Sequence, residues 1–107
     1  YTGNGSTDGT FVYTGFKPAF VLVKQSSAAG EGWYLWDNKR DVFNAATNTL
    51  SPNSSSAEGA GVDMDILSNG FKHRYSGAAS NSAATFIYMA FASNPFVTST
   101  GVPATAR

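Results

Sequence analysis

Residues 85–92, Thr-Phe-Ile-Tyr-Met-Ala-Phe-Ala, limit the fold more than any other stretch of this chain. The run is almost wholly apolar, rich in aromatic rings, and free of Gly, Pro and charge. Its length suits a strand and falls short of the ~10–12 residues expected of a helix. Asn94 and Pro95 end it sharply, and small, turn-prone residues precede it. Such a run is expected to be a strand buried on both faces in the middle of a sheet. The rest of the chain must then supply strands to flank it.

Candidates for those strands recur along the chain. Residues 1–10 hold three glycines with Asn4 and Asp8, which is turn chemistry and reads as a linker-like opening. Phe11, Val12 and Tyr13 form a short strand closed by Gly15. Lys17 before Pro18 pre-sets extended backbone, and Ala19 to Lys24 is the second candidate for a central strand. Residues 26–30 suit a hairpin loop. In the next strand Trp33 and Leu35 share one face, and Tyr34 and Trp36 the other. At least one Trp belongs to the core, and an exposed one would make a stacking platform for sugar rings. Residues 44–50 fit a short strand or a helical turn. Residues 51–56, with Asn53 and Ser54, are a polar loop of the kind that often carries function. Phe96 and Val97 add a possible edge pairing, and residues 98–107 read as a tail.

The most readable segment runs from Val62 to Tyr75. Val62, Met64 and Ile66 alternate with Asp63 and Asp65 before Ser68, Asn69 and Gly70. Asn-Gly is the strongest short signal for a two-residue type I′ turn. That register sets Ile66 opposite His73, Asp65 opposite Arg74 and Met64 opposite Tyr75. One face is then apolar and the other pairs Asp63 and Asp65 with Lys72 and Arg74, the sorting a correct register produces. The whole reads as one all-β domain, an antiparallel β-sandwich of jelly-roll or lectin-like style with little or no helix.

Composition narrows the function. Seven basic and seven acidic residues give zero formal charge, which does not suit a nucleic-acid binder that works through its field. Charged residues are only 13 per cent, so Ser, Thr, Asn and Gly must build the surface, as suits recognition of neutral polar partners. Without cysteine there is neither a disulfide framework nor a thiolate metal site. A small domain without such staples often gains stability by oligomerising. No run reaches transmembrane length.

Asp63 and Asp65 could serve as a general acid and base, but the cross-strand cations explain them as surface ion pairs. His73 falls on the apolar side, where a half-buried, hydrogen-bonded ring is the default. One histidine and no cysteine leave a transition-metal site short of ligands. Neither a nucleophile elbow nor a phosphate loop is present. No catalytic residue, metal or cofactor is expected. The candidate recognition residues are Trp33, Tyr34, Trp36, Asn53, Ser54 and Asn81, aromatic area beside short polar side chains.

Residues 1–9, 15–24, 33–40, 67–72 and 85–96 together resemble a domain of structural proteins of tailed bacteriophages, often in tail or tail-fibre polypeptides. The resemblance spans nearly the whole chain. It implies a place in the virion tail facing the exterior, near the distal end of a fibre, with residues 1–10 following an earlier β-domain. The implied partners are other copies of the chain (a trimer by analogy), other tail proteins, and a host-surface glycan or protein. Nucleic acid and membrane insertion are not implied. A purely architectural domain without a receptor is the alternative, and a glycan-active enzyme using Asp63 or Asp65 the third reading.

Overall fold

The alternating segments and apolar runs of the sequence become two sheets. The computed structural model describes residues 1–94, and among them there are seven strands and no helix. They are β1 (Phe11–Tyr13), β2 (Pro18–Gln25), β3 (Trp33–Asp37), β4 (Ala46–Thr49), β5 (Gly59–Leu67), β6 (Gly70–His73) and β7 (Phe86–Ala92). One antiparallel sheet has the order β1-β6-β5-β4 and the other β3-β2-β7. Val12, Ala46, Met64, Ile66 and Phe71 from the first meet Val21, Val23, Trp36 and Phe86 from the second in one buried cluster. The chain is therefore the all-β, sandwich-like fold that its alternation predicts. Burying each large side chain of that cluster contributes roughly 1.5–3 kcal/mol.

Trp36 ties the layers together. Its ring is fully buried, and its Nε1–H donates to the Val62 carbonyl at 2.8 Å, so the indole crosses from β3 to β5 with its polar atom satisfied.

The run at 85–92 is a strand, but its place differs from the expected one. Among the described residues β2 is the centre of its sheet and β7 is an edge. Only one face of β7 turns inward: Phe86 is buried and Ala90 packs on the core, while Ile87, Met89 and Phe91 face outward and are exposed. Composition reports how apolar a strand's surroundings must be, not which strands lie beside it.

The β5–β6 hairpin forms with the expected face sorting but a different register. Met64 pairs with His73, Asp65 with Lys72, Ile66 with Phe71 and Leu67 with Gly70. The turn is therefore Ser68 and Asn69, and neither has positive φ, so it is not type I′. Gly70 is used for another purpose. A Cβ there would strike the Val12 carbonyl, because β1 lies hard against this point. The amides of Thr14 and Gly15 both donate to the Asn69 carbonyl, at 3.0 and 3.3 Å. Moving the register by two residues preserves side-chain parity, which is why the faces survive the change.

Residues 1–10 are docked rather than linker-like. The Tyr1 nitrogen donates to the Phe86 carbonyl at 3.0 Å and Phe86 N–H returns the bond at 2.9 Å. Thr2 bridges Thr85, and Gly3 N–H donates to Ala84. The Tyr1 ring stacks on both Phe86 and His73, each at 5.1 Å between centroids. Residues 44–50 resolve as strand β4, followed by an antiparallel bridge from Leu50 to Leu35. The expected edge pairing at Phe96 and Val97 and the tail at 98–107 lie outside the described residues.

Candidate contact surface

The outer faces of the two sheets differ in chemistry. On the β5–β6 side Arg74 Nε holds Asp65 at 2.6 Å, and Lys72 holds Asp8 at 2.7 Å. Lys72, beside the exposed Asp8 carboxylate, donates to it and holds its pKa below the usual value. Asp63 lies on the same face without an ion pair among the described residues. The same outer face also carries Phe11, beside Lys72, and Tyr13, 43 and 68 per cent exposed, and the Asp63 Oδ1 is buried without a hydrogen-bond partner.

The opposite outer face is apolar. Alternation along β3, β2 and β7, with their registers, lays out three rows across the sheet. Lys24 lies between Trp33 and Ile87, Leu22 between Leu35 and Met89, and Phe20 between Asp37 and Phe91. Leu50, bridged to Leu35, lengthens the middle row by one more leucine. Phe20 and Phe91 meet edge to face at 5.5 Å. Exposure is greatest at the β7 edge, where Ile87, Met89 and Phe91 stand 51, 53 and 57 per cent open. With half-open rings and aliphatic chains, this patch is on the order of 500 Å², at the upper end of what a monomer normally shows to water.

The loop between β3 and β4 carries exposed apolar side chains of its own. It holds Val42 and Phe43 at 74 and 85 per cent exposure. The residues on either side are anchored. Asp41 accepts from the amides of Thr47 and Asn48 at 2.9 and 2.7 Å, and from Asn48 Nδ2 at 2.8 Å. Asn44 clamps the Ile66 backbone from both sides, donating to its carbonyl at 2.9 Å and accepting from its amide at 2.8 Å. Further back, Asp37 accepts from the Lys39 and Arg40 amides, and Arg40 bridges it to Glu58. Two large apolar side chains are therefore held out by a fixed backbone, an arrangement that lowers the entropy cost of using them in a contact. The hollow beside them, reaching Lys17 and Asn38, measures about 160 Å³, well short of an ordinary small-molecule pocket. The loop is a knob rather than a receptacle.

The residues singled out from sequence are divided by this geometry. Trp36 and Asn81 are fully buried and leave the list of surface candidates. Asn81 is instead the hub for the opening loop. Its Oδ1 accepts from the amides of Asn4 and Thr10, and its Nδ2 donates to Asn4 Oδ1 and the Ser6 carbonyl. Tyr34 faces inward beside Trp36 and donates its hydroxyl to Glu31. Trp33 lies on the apolar outer face, with its amide held by Asn53 Oδ1 at 2.8 Å, and Ser54 is exposed nearby. Val42, Phe43, Ile87, Met89 and Phe91 were missed. The signal for the last three was the lack of polar alternation in the run at 85–92.

His73 is more deeply enclosed than the sequence suggests. It is fully buried among Tyr1, Trp36 and Phe71, and neither ring nitrogen has a hydrogen-bond partner. Burial pushes its pKa down to about 4, so the ring is neutral. Burial likewise raises the Tyr1 phenol. Among the described residues no three His, Asp or Glu side chains gather at one place.

No curated protein and no solved structure matches the chain. Residues 1–95 match the model of the family described as a domain of unknown function, DUF7483, and the chain belongs to that family.

Proposed function

We propose that this domain is a non-enzymatic structural module of a phage tail or tail fibre, near its distal end, that self-associates and attaches to a host-surface protein or glycan. The observation that carries the reading is the asymmetry of the sandwich. One outer face is crossed by ion pairs, with Phe11 and Tyr13 exposed along its β1 edge. The other carries Phe20, Leu22, Leu35, Ile87, Met89 and Phe91 with a single lysine and a single aspartate among them. Such a face marks an assembly surface in a soluble domain. The anchored Val42–Phe43 knob supplies the second contact, the one directed at the host, because side chains held out by a fixed backbone lose little entropy on binding. Asp65 is engaged by Arg74, and His73 is sealed from solvent, so neither favours an acid–base role.

The test is adsorption of the virion that carries the domain. Purified domain at saturation is expected to lower adsorption, and the Phe43→Ala domain to lower it less. Unchanged adsorption would contradict attachment and leave the architectural reading, a scaffold without a receptor. That second reading is favoured by the hollow beside Phe43, whose volume of about 160 Å³ is below that of an ordinary small-molecule pocket.

A further inference from the structure

We infer that residues 1–10 form a strap that lifts off the sandwich in acid, with protonation of His73 beneath it as the trigger.

The strap belongs to none of the seven strands and is fastened at three places. Its start lies along the end of β7, where Gly3 N–H donates to the Ala84 carbonyl and Phe86 N–H to the Tyr1 carbonyl, both at 2.9 Å. Its middle rests on Asn81, whose carbonyl accepts from Gly5 N–H at 2.7 Å and whose side chain reaches Asn4, Ser6 and Thr10. Its far end lies on His73. There Gly9 N–H donates to the His73 carbonyl at 3.1 Å, and His73 N–H to the Thr10 carbonyl at 3.2 Å. His73 thus meets both ends of the strap, its backbone at Gly9 and Thr10 and its ring under Tyr1.

An imidazolium carries two N–H donors, and no acceptor lies within reach of this ring. The charged groups are elsewhere. Lys72 and Arg74 flank His73 on β6 and point to the outer face, where they hold Asp8 and Asp65. Asp63 and Asp65 flank Met64, the partner of His73 on β5, and share that outer face. The ionisable groups that face inward are phenols. Tyr1 donates its hydroxyl to the Ser80 carbonyl, and Tyr88 of β7 packs on Tyr1 and Phe71. Burial keeps the Tyr1 phenol neutral. The rest of the buried cluster, Val21, Val23, Ala46 and Phe86 among it, is apolar.

A proton on His73 must therefore bring water to the ring. Trp36 and Phe71 can yield only if the ladders of β3 or β6 break, whereas Tyr1 lies outside every ladder. Lifting the strap is the smallest movement that hydrates the ring. With the strap up, the ring regains its ordinary value of 6.5, against about 4 with the strap down. The docked strap is thus fully stable above pH 6.5, and its closing equilibrium weakens about tenfold per pH unit from there to about 4. Asp8 also belongs to the strap, but its pairing with Lys72 lowers its pKa, so its charge is lost only in stronger acid.

The test is amide exchange at about pH 7 and about pH 5, with and without sub-denaturing urea. Gly3, Gly5 and Gly9 report the strap, and the amides of β2, central in its sheet, report unfolding of the sandwich. Expected at the three glycines are lower protection than in β2, little dependence on urea, and at least about tenfold less protection at the lower pH. His73→Leu, or His73→Met if that variant does not fold, should remove the pH dependence, and Asp8→Asn should leave it. Glycines that share the protection and urea dependence of β2 would overturn the strap, which would then open only with the whole sandwich. An unchanged pH dependence in the His73 variant, or its disappearance in Asp8→Asn, would overturn the trigger.

Discussion

His73 concentrates the chemistry of this domain in one ring. An imidazole with no hydrogen-bond partner is tolerable in the core only while neutral. The unfolded chain, with the ordinary value of 6.5, binds a proton that the folded chain refuses until about pH 4. Its contribution to stability is therefore complete above pH 6.5 and falls as pH drops toward 4, by about 1.4 kcal/mol per unit. Urea denaturation at pH 7 and pH 5 should show a loss of about 2 kcal/mol, and His73→Leu should abolish most of that difference. An equal loss in the variant would mean that other groups carry the acid sensitivity. Sequence assigned His73 to the apolar side correctly but expected a hydrogen bond. The enclosing ring that excludes one is Tyr1, seventy-odd residues away in a segment that reads as loop. Asn81 misled for the same reason: a short amide among serines has the composition of surface, and its partners Asn4, Ser6 and Thr10 lie at the other end of the chain.

Among the elements, the β5–β6 hairpin was legible because period-two patterning and turn residues are local. Its register was not, since the decisive contact is β1 against Gly70. Gly70→Ala should cost about 2 kcal/mol or more by forcing β1 off β6, although Ala is otherwise acceptable in a strand. Urea titration reads this directly, and a change within ~0.5 kcal/mol would mean that β1 moves freely. The strand at 85–92 was legible as a strand and not as an edge. The β3–β4 loop was opaque to pattern reading because its order comes from Asp41 and Asn44 reaching backbone beyond the loop. Phe43→Ala is expected to leave stability within ~0.5 kcal/mol, as at other exposed positions. The same change should weaken attachment, which separates a contact residue from a structural one. A clear fall in the denaturation midpoint would place Phe43 in the packing instead.

For the whole molecule, the two-layer fold was predictable from alternation in β3 and β5 with the apolar runs at 19–24 and 85–92. The difference between its two outer faces was not, because it depends on which strands share a sheet. A neutral, lightly charged domain gathers its cross-strand ion pairs on one side and leaves the other mostly apolar. The most direct test is the solution mass of the chain by light scattering across a hundredfold concentration range. Self-association through the apolar side requires a mass that rises to multiples of 11.2 kDa and returns to the monomer value in Met89→Lys. A constant 11.2 kDa at every concentration would contradict it.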